Sequence, residues 1–388
     1  MTPPERHIVL IGAGYAHLEV LRSFGIKPQP GVRLTLLTRQ AETPYSGMQP
    51  GLIAGLYAFE DVHIGIRPLC RFAGARLILD EAVGIDLAER RVLCADAPPI
   101  PFDILSIDTG SGPNTQGVPG ARKHAIALKP IDGFLARLEI ARQRVLNRRG
   151  AAKICVVGAG AAGVELMLAI ERRLRRDIEA AGYDSGRAAF SLVSADPDIL
   201  MTYPRRVRAR FSRILTARGI AIKAGAPVAS VESGAVRLKD GDALFFDEIF
   251  WAVEASAASW LTGTGLKLDA LGFIEVAPTL ESVSEPLVFA AGDVASFRGC
   301  ALPKAGVHAV REGPVLAENM RRAASGKPLK TYRPQRHILS LISTGERYAI
   351  GSRNGLSFEG AWVWRWKDWI DRRYMDQFKN LLAHSPPR

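Results

Sequence analysis

Apolar residues along this chain cluster in short runs that end in glycine turns. His7–Ile11 reads as a buried strand, runs into Gly12-Ala-Gly14, and gives way to Tyr15–Leu21, whose composition is helical. The same order returns at Lys153–Val157, where a β-branched run leads through Gly158-Ala-Gly160-Ala-Ala-Gly163 into an apolar helix. Two further strands end in small polar turns: Phe102–Ile107 before Thr109-Gly110-Ser111, and Pro286–Ala291 before Gly292-Asp293. Strands also lie at Val32–Leu37, ending in Thr38-Arg39, and at Phe190–Val193, ending in Ser194. Strands alternating with helices predict an α/β fold, with parallel sheets covered by helices on both faces.

The turns carry chemistry. A first glycine permits the tight bend, and a second lets backbone approach a diphosphate, whose charge rests on the N–H groups and positive dipole end of the next helix. Gly12 and Gly14 meet that need, and Gly158, Gly160 and Gly163 complete the G-x-G-x-x-G spacing in the required strand-to-helix setting. Asp293, beside glycine at a strand's carboxyl end, suits a carboxylate accepting hydrogen bonds from polyol or ribose hydroxyls.

Composition narrows the picture. The 388 residues call for two or three domains, and 47% hydrophobic with 23% charged residues describes a globular chain. The four cysteines, Cys70, Cys94, Cys155 and Cys300, form no close pair, which argues against zinc, a disulfide framework or a local dithiol, and no metal is expected. Met1–Arg6 offers no basic n-region or cleavage site, and Thr43–Phe59, though uncharged, is broken by proline and glycine, so the expected location is cytoplasmic, with membrane contact only peripheral. The net charge of +12 attracts anionic cofactors or acidic lipid. No zinc-finger spacing or RNA-recognition signature accompanies it, so nucleic acid is not an expected partner.

The ordered set of glycine fingerprint, Thr-Gly turn, second fingerprint and Gly-Asp turn, from His7 to about Lys330, resembles the FAD-dependent pyridine nucleotide-disulfide oxidoreductase superfamily. Within it, Thr43–Gly55, Pro303–Gly306 and Ala309–Asn319 look like the flavoprotein domain fused to selenophosphate synthetase, a branch itself similar to type II NADH dehydrogenases. The resemblance implies two Rossmann-like dinucleotide-binding domains: an FAD domain over 1–122 and 270–335, an inserted NAD(P)H domain over 123–269, and a C-terminal segment over 336–388. It implies FAD at Gly12, Gly14, Thr109, Gly110, Gly292 and Asp293, and NAD(P)H at Gly158, Gly160 and Gly163. Glu165, on the first turn of the second helix, is implied to face the nicotinamide or the flavin edge. Lys304 follows the Gly-Asp turn closely enough to sit beside the flavin, where a cation stabilises its anionic reduced form. The loop around Tyr45 is a candidate wall of the flavin or acceptor pocket.

Departures from the pattern matter. His17 stands where a third glycine would, which implies a wider helix–strand contact and a structural role for the ring. The acidic ribose ligands are absent. Thr38 and Arg39 remain for FAD, and Ser194, with Arg205 and Arg206 downstream, leaves NADH and NADPH undecided. Trp251–Ala255 replaces the Ala-Thr-Gly turn of many relatives.

The tail from Ala361 holds four of the six tryptophans. At about 100 degrees per residue, Trp362, Trp366, Trp369, Ile370 and Leu381 share one face, interrupted by Arg373, with Lys367 outside its centre. That pattern serves an interfacial helix near a lipid quinone, a helix docked on the chain's own flavin domain, or a homodimer contact. The functional expectation is hydride transfer from NAD(P)H to FAD and then to a quinone or similar acceptor. Two alternatives stay open: a flavin-containing partner in selenium metabolism, and an enzyme like sulfide:quinone oxidoreductase, for which Cys300 is the cysteine placed near the flavin.

Overall fold

The computed structural model describes residues 5–383 apart from 116, 130–132, 254 and 301, so Glu254 of the Trp251–Ala255 turn lies outside the described residues. Two five-stranded parallel sheets organise the chain. In the first, the order is Val288–Ala290, Ile104–Ile107, Arg6–Ile11, Val32–Thr38 and Arg76–Leu79. The second runs Ile126–Ala127, Glu248–Trp251, Ala152–Val157, Ala188–Val193 and Ile220–Lys223. Each fingerprint strand is central in its sheet and fully apolar over its last four residues, as a strand covered on both faces must be.

The halves repeat in detail. After the third parallel strand counted from its fingerprint strand, each inserts a three-stranded antiparallel meander, Ala82–Pro101 in the first half and Val228–Phe245 in the second, before the strand that closes onto the fingerprint strand. Helix Tyr15–Ile26 packs beside helix Gly306–Ala324 over the first sheet. The close approach is made at Gly313, where an added Cβ would stand 2.7 Å from Glu19 Cβ. Helix Ala161–Ala180 plays the matching part in the second half and buries ten residues, among them Val164, Leu168 and Leu174.

A third antiparallel sheet, Ser340–Ser343, Ala349–Arg353 and Leu356–Gly360, leads directly into the long helix Ala361–Ala383. The helix buries Val363, Lys367, Asp371, Met375 and Phe378, a stripe at spacings of four and three, with Met375 and Phe378 packed into the core of the first half. Trp362 and Trp369 point outward at 51% and 56% exposure. The docked face is therefore centred on a side of the helix away from Trp362 and Trp369, and it includes a lysine and an aspartate because the two neutralise each other. Among the described residues, no helix is long and apolar enough to cross a membrane.

Candidate functional site

At the first turn Gly12 has φ +88°, and an added Cβ there would overlap Asp108 O. His17 lies wholly buried on the helix behind it. Its Nδ1 is 2.6 Å from Gly12 O and its Nε2 2.8 Å from Ser106 Oγ. A carbonyl only accepts, so Nδ1 carries the proton and the Ser106 hydroxyl donates to Nε2. Burial pushes the imidazole down to about 4, so it stays neutral and bridges the helix to the strand end. The expected wider contact is what the structure has, with a structural ring filling it.

Asp108, which sequence reasoning passed over inside the Thr109-Gly110 turn, reaches the same helix from the neighbouring strand. Its Oδ2 accepts from Ala16 N at 2.9 Å and His17 N at 3.1 Å. Burial, then the nearby Glu312 and Asp293 charges, raise its carboxyl to about 8 against those two hydrogen bonds. Gly292 N donates to Glu312 Oε2 at 2.6 Å, and burial lifts that acid to about 7. Asp293 is held by Lys129 Nζ at 2.7 Å and Ser111 Oγ at 2.9 Å. Lys304 is half-buried, donating to Ala295 O at 2.6 Å and lying 3.8 Å above the Phe273 ring, with Asp293 and Glu312 among the charges it faces. Thr38 is buried and accepts from Gln40 N, while Arg39 reaches Glu81 at 3.5 Å on the surface. Gly110 has φ +71°.

The second turn is barer. Gly158 has φ +107°, an added Cβ at Gly163 would overlap Gly158 O, and nothing lies within 4 Å of the Cβ position of Gly160. Leu200 N bonds Ala159 O, tying the segment after the Ser194 strand end to this turn. Ser194 itself turns its Oγ to Asp196 N at 3.2 Å. Arg205 and Arg206 are exposed on the next helix.

Between the two turns lies a polar junction. Glu165 Oε1 accepts from Ser343 N at 2.7 Å, and burial raises its carboxyl to about 7, with the Lys367 charge opposing. Lys367 Nζ pairs with Asp371 Oδ2 at 2.5 Å and donates to Gly47 O. Tyr45 stacks on Tyr374 at 4.6 Å between ring centres, and Tyr15 lies 5.6 Å from Tyr45. Tyr15 Oη accepts from Ser46 N at 2.6 Å. The structure thus brings Glu165 and Tyr45 to one junction. It adds Lys367, Asp371 and Tyr374, and it leaves Lys304 with the Asp293 group and Arg39 at the surface.

Among the described residues, side-chain atoms near these groups that are buried without a hydrogen-bond partner include His308 Nε2, in the helix after the Asp293 turn, Tyr374 Oη, and Gln49 Nε2 and Oε1 beside the Tyr45–Gly47 loop. A polar ligand would satisfy them. With the glycine turn and the Asp293 group, they fit a flavin dinucleotide in the first half, and the bare second turn fits NAD(P)H.

The profile of the pyridine nucleotide-disulphide oxidoreductase family matches residues 6–324. The chain belongs to this family. Membership makes it an FAD-dependent oxidoreductase of pyridine nucleotides. It is 25% identical over 354 residues to the NADH dehydrogenase-like protein YutJ of Bacillus subtilis, covering 89% of this chain and 92% of that one. It is 23% identical to the type II NADH:quinone oxidoreductase Ndh of Mycobacterium tuberculosis, covering 93% and 83%. Among solved structures, NDH2 of Plasmodium falciparum in complex with NADH superposes with TM-score 0.80 at 14% identity, covering 99% of each chain. The sulfide:quinone oxidoreductase of Aquifex aeolicus superposes with TM-score 0.78 at 17% identity, covering 98% and 93%.

Proposed function

We propose that this chain oxidises NAD(P)H held at Gly158, Gly160 and Gly163, passes the hydride to FAD held at Gly12, Gly14, Thr109, Gly110, Gly292 and Asp293, and delivers the electrons to a quinone or similar acceptor at the junction. The observation that carries this reading is the junction itself: the first turn of the second helix, the Tyr45–Gly47 loop and the tail helix meet around Glu165 and Lys367. Hydride and electron transfer is the chemistry the flavin supplies when bound. The chain's own residues orient the rings, exclude water and hold protons.

Reduction of a quinone by NADH consumes one proton from the medium beyond the hydride, and Glu165, raised to about 7, is suited to hold it near neutral pH. Lys367 keeps that carboxyl from rising further. Thr38 and Arg39 are assigned to the adenosine end of FAD. Lys304, close to the Asp293 group, is assigned to favour the reduced flavin. The outward tryptophans Trp362 and Trp369, with Arg365 and Arg373 on the same helix, support peripheral contact of the tail with an acidic lipid surface where a lipid quinone resides. Relatives named for NADH dehydrogenation and quinone reduction favour this reading over a partner role in selenium metabolism.

The test is steady-state NADH and NADPH consumption by the yellow protein with a short-chain quinone. Robust turnover is expected. A flavin reduced by neither nucleotide would end the reading.

A further inference from the structure

The positions that follow the closing strands of the two halves correspond: an added Cβ at Gly12 would overlap Asp108 O, and one at Gly158 would overlap Ala252 O. The second half carries a methyl group there and the first a carboxymethyl group. The extra carboxyl is not idle, because it takes the N–H groups of Ala16 and His17 on the first turn of helix Tyr15–Ile26. In a strand, glycine turn and helix unit, a diphosphate rests on those first-turn donors and on the positive end of the helix dipole. One buried N–H does not serve two anions at once, and placing them side by side away from water is costly.

We propose that the Asp108 carboxyl is a resident occupant of the first glycine turn, holding the donors that the FAD diphosphate needs and repelling that diphosphate once it ionises, so that this one side chain sets flavin affinity. The inference rests on the FAD reading of that turn.

The surroundings give the effect a sign. Asp108 is faced by Glu312 of helix Gly306–Ala324, by Asp293 of the turn before it, by neutral His17, and by Tyr15 and Tyr374. Lys129 neutralises Asp293, and Lys304 faces Asp293 and Glu312, so the nearby cations serve those two acids first. Burial and like charges have already raised Asp108 to about 8 and Glu312 to about 7. A doubly charged diphosphate arriving beside them pushes both further toward the protonated form. Flavin binding therefore takes up protons, and affinity falls as pH rises through the range where Asp108 ionises. A protonated Asp108 donates an O–H to phosphate oxygen where the ionised form repels it.

The experiment is a titration of flavin-stripped full-length protein with FAD, read by flavin fluorescence from pH 6 to pH 9, for wild type and Asp108→Asn. Wild type should bind about tenfold more weakly at pH 9 than at pH 7, the effect of one proton lost across an acid near 8. Asp108→Asn keeps the shape and one acceptor oxygen. It should bind at least as tightly at pH 7 and about tenfold more tightly than wild type at pH 9, with most of the slope gone. Thermal unfolding is read in parallel: FAD raises the variant's melting temperature by more than it raises that of wild type. Asp108→Ala, which copies the second turn, should repeat the tighter binding. Weaker binding of Asp108→Asn at every pH, or an unchanged slope, overturns the proposal and makes Asp108 a structural cap. No FAD binding by wild type or variant overturns the FAD reading with it.

Discussion

At Gly163 the second helix lies so close to its strand that a single added carbon would overlap the Gly158 carbonyl, whereas at His17 the first helix stands far enough away to admit an imidazole. The gap and the polar groups behind it, Ser106 and the Asp108 carboxyl, go together: once the helix is moved out, its amides and the Gly12 carbonyl need partners, and side chains supply them. Among the described residues, no side chain takes the first donors of the second helix. Two halves with the same strand order and the same inserted meander thus offer different seats to a dinucleotide, one partly self-filled and one open. On the proposed reading, the shared fold fixes where a diphosphate goes, and the residues behind the turn decide how readily it is held.

The largest expected effect comes from removing the difference at Gly163. Gly163→Ala forces backbone against backbone and should cost about 3 kcal/mol of stability. It should abolish reduction by NADH while the protein remains yellow, and thermal unfolding with rapid-mixing reduction checks both. Loss of the flavin as well would show that the two seats are not independent. At the matching position, His17→Gln retains polar atoms but no ring. The unfolded chain binds a proton at the histidine below about 6.5 and the folded chain only below about 4. Wild type therefore loses this stability as pH falls between those values, about 3 kcal/mol in all, and the gap between wild type and His17→Gln narrows by that amount. Chemical denaturation at pH 7 and pH 4 measures it, and a gap independent of pH would remove the neutral ring from the account.

The junction between the seats gives the next effect. Glu165→Gln should lower quinone turnover about tenfold and erase an inflection near pH 7 from the rate profile. An unaltered profile would take Glu165 out of proton transfer. The smallest effect lies farthest from both turns. Trp362→Ala with Trp369→Ala should cost about 1 kcal/mol of stability or less, mostly from the Trp362 stack on Phe358 and Trp366, yet weaken sedimentation with acidic vesicles. Undiminished vesicle binding would assign this face to a protein contact.

Much of this organisation is legible in the chain. The two fingerprints, the Gly-Asp turn and the strand ends around them depend on local patterns, and local patterns survive folding. His17 was readable as a spacer because a side chain in a glycine position has one consequence. Asp108 was not, since its meaning comes from a helix 91 residues away in sequence. The available signal was the alignment of the two halves on their glycines, which sets Asp108 opposite Ala252. Lys367, read only as lying off the aromatic face, and Asp371, not singled out at all, escaped recognition for a related reason. Helical spacing ranks charged residues as outward, and only the partner four residues on, in line with Val363, Met375 and Phe378, marks them as a buried pair. The Asp293 group was half visible: its turn was found, but Lys129 and Ser111 reach it from other segments.

For the two halves to work as one enzyme, the open seat must hold a nicotinamide, and the self-filled seat a flavin, within reach of each other. An anaerobic titration of the purified, flavin-loaded protein with NADH, repeated with NADPH, tests this most directly. The prediction is that one equivalent of at least one nucleotide bleaches the yellow flavin band and that a short-chain quinone restores it. Protein that takes up FAD yet stays fully oxidised with both nucleotides would contradict the claim.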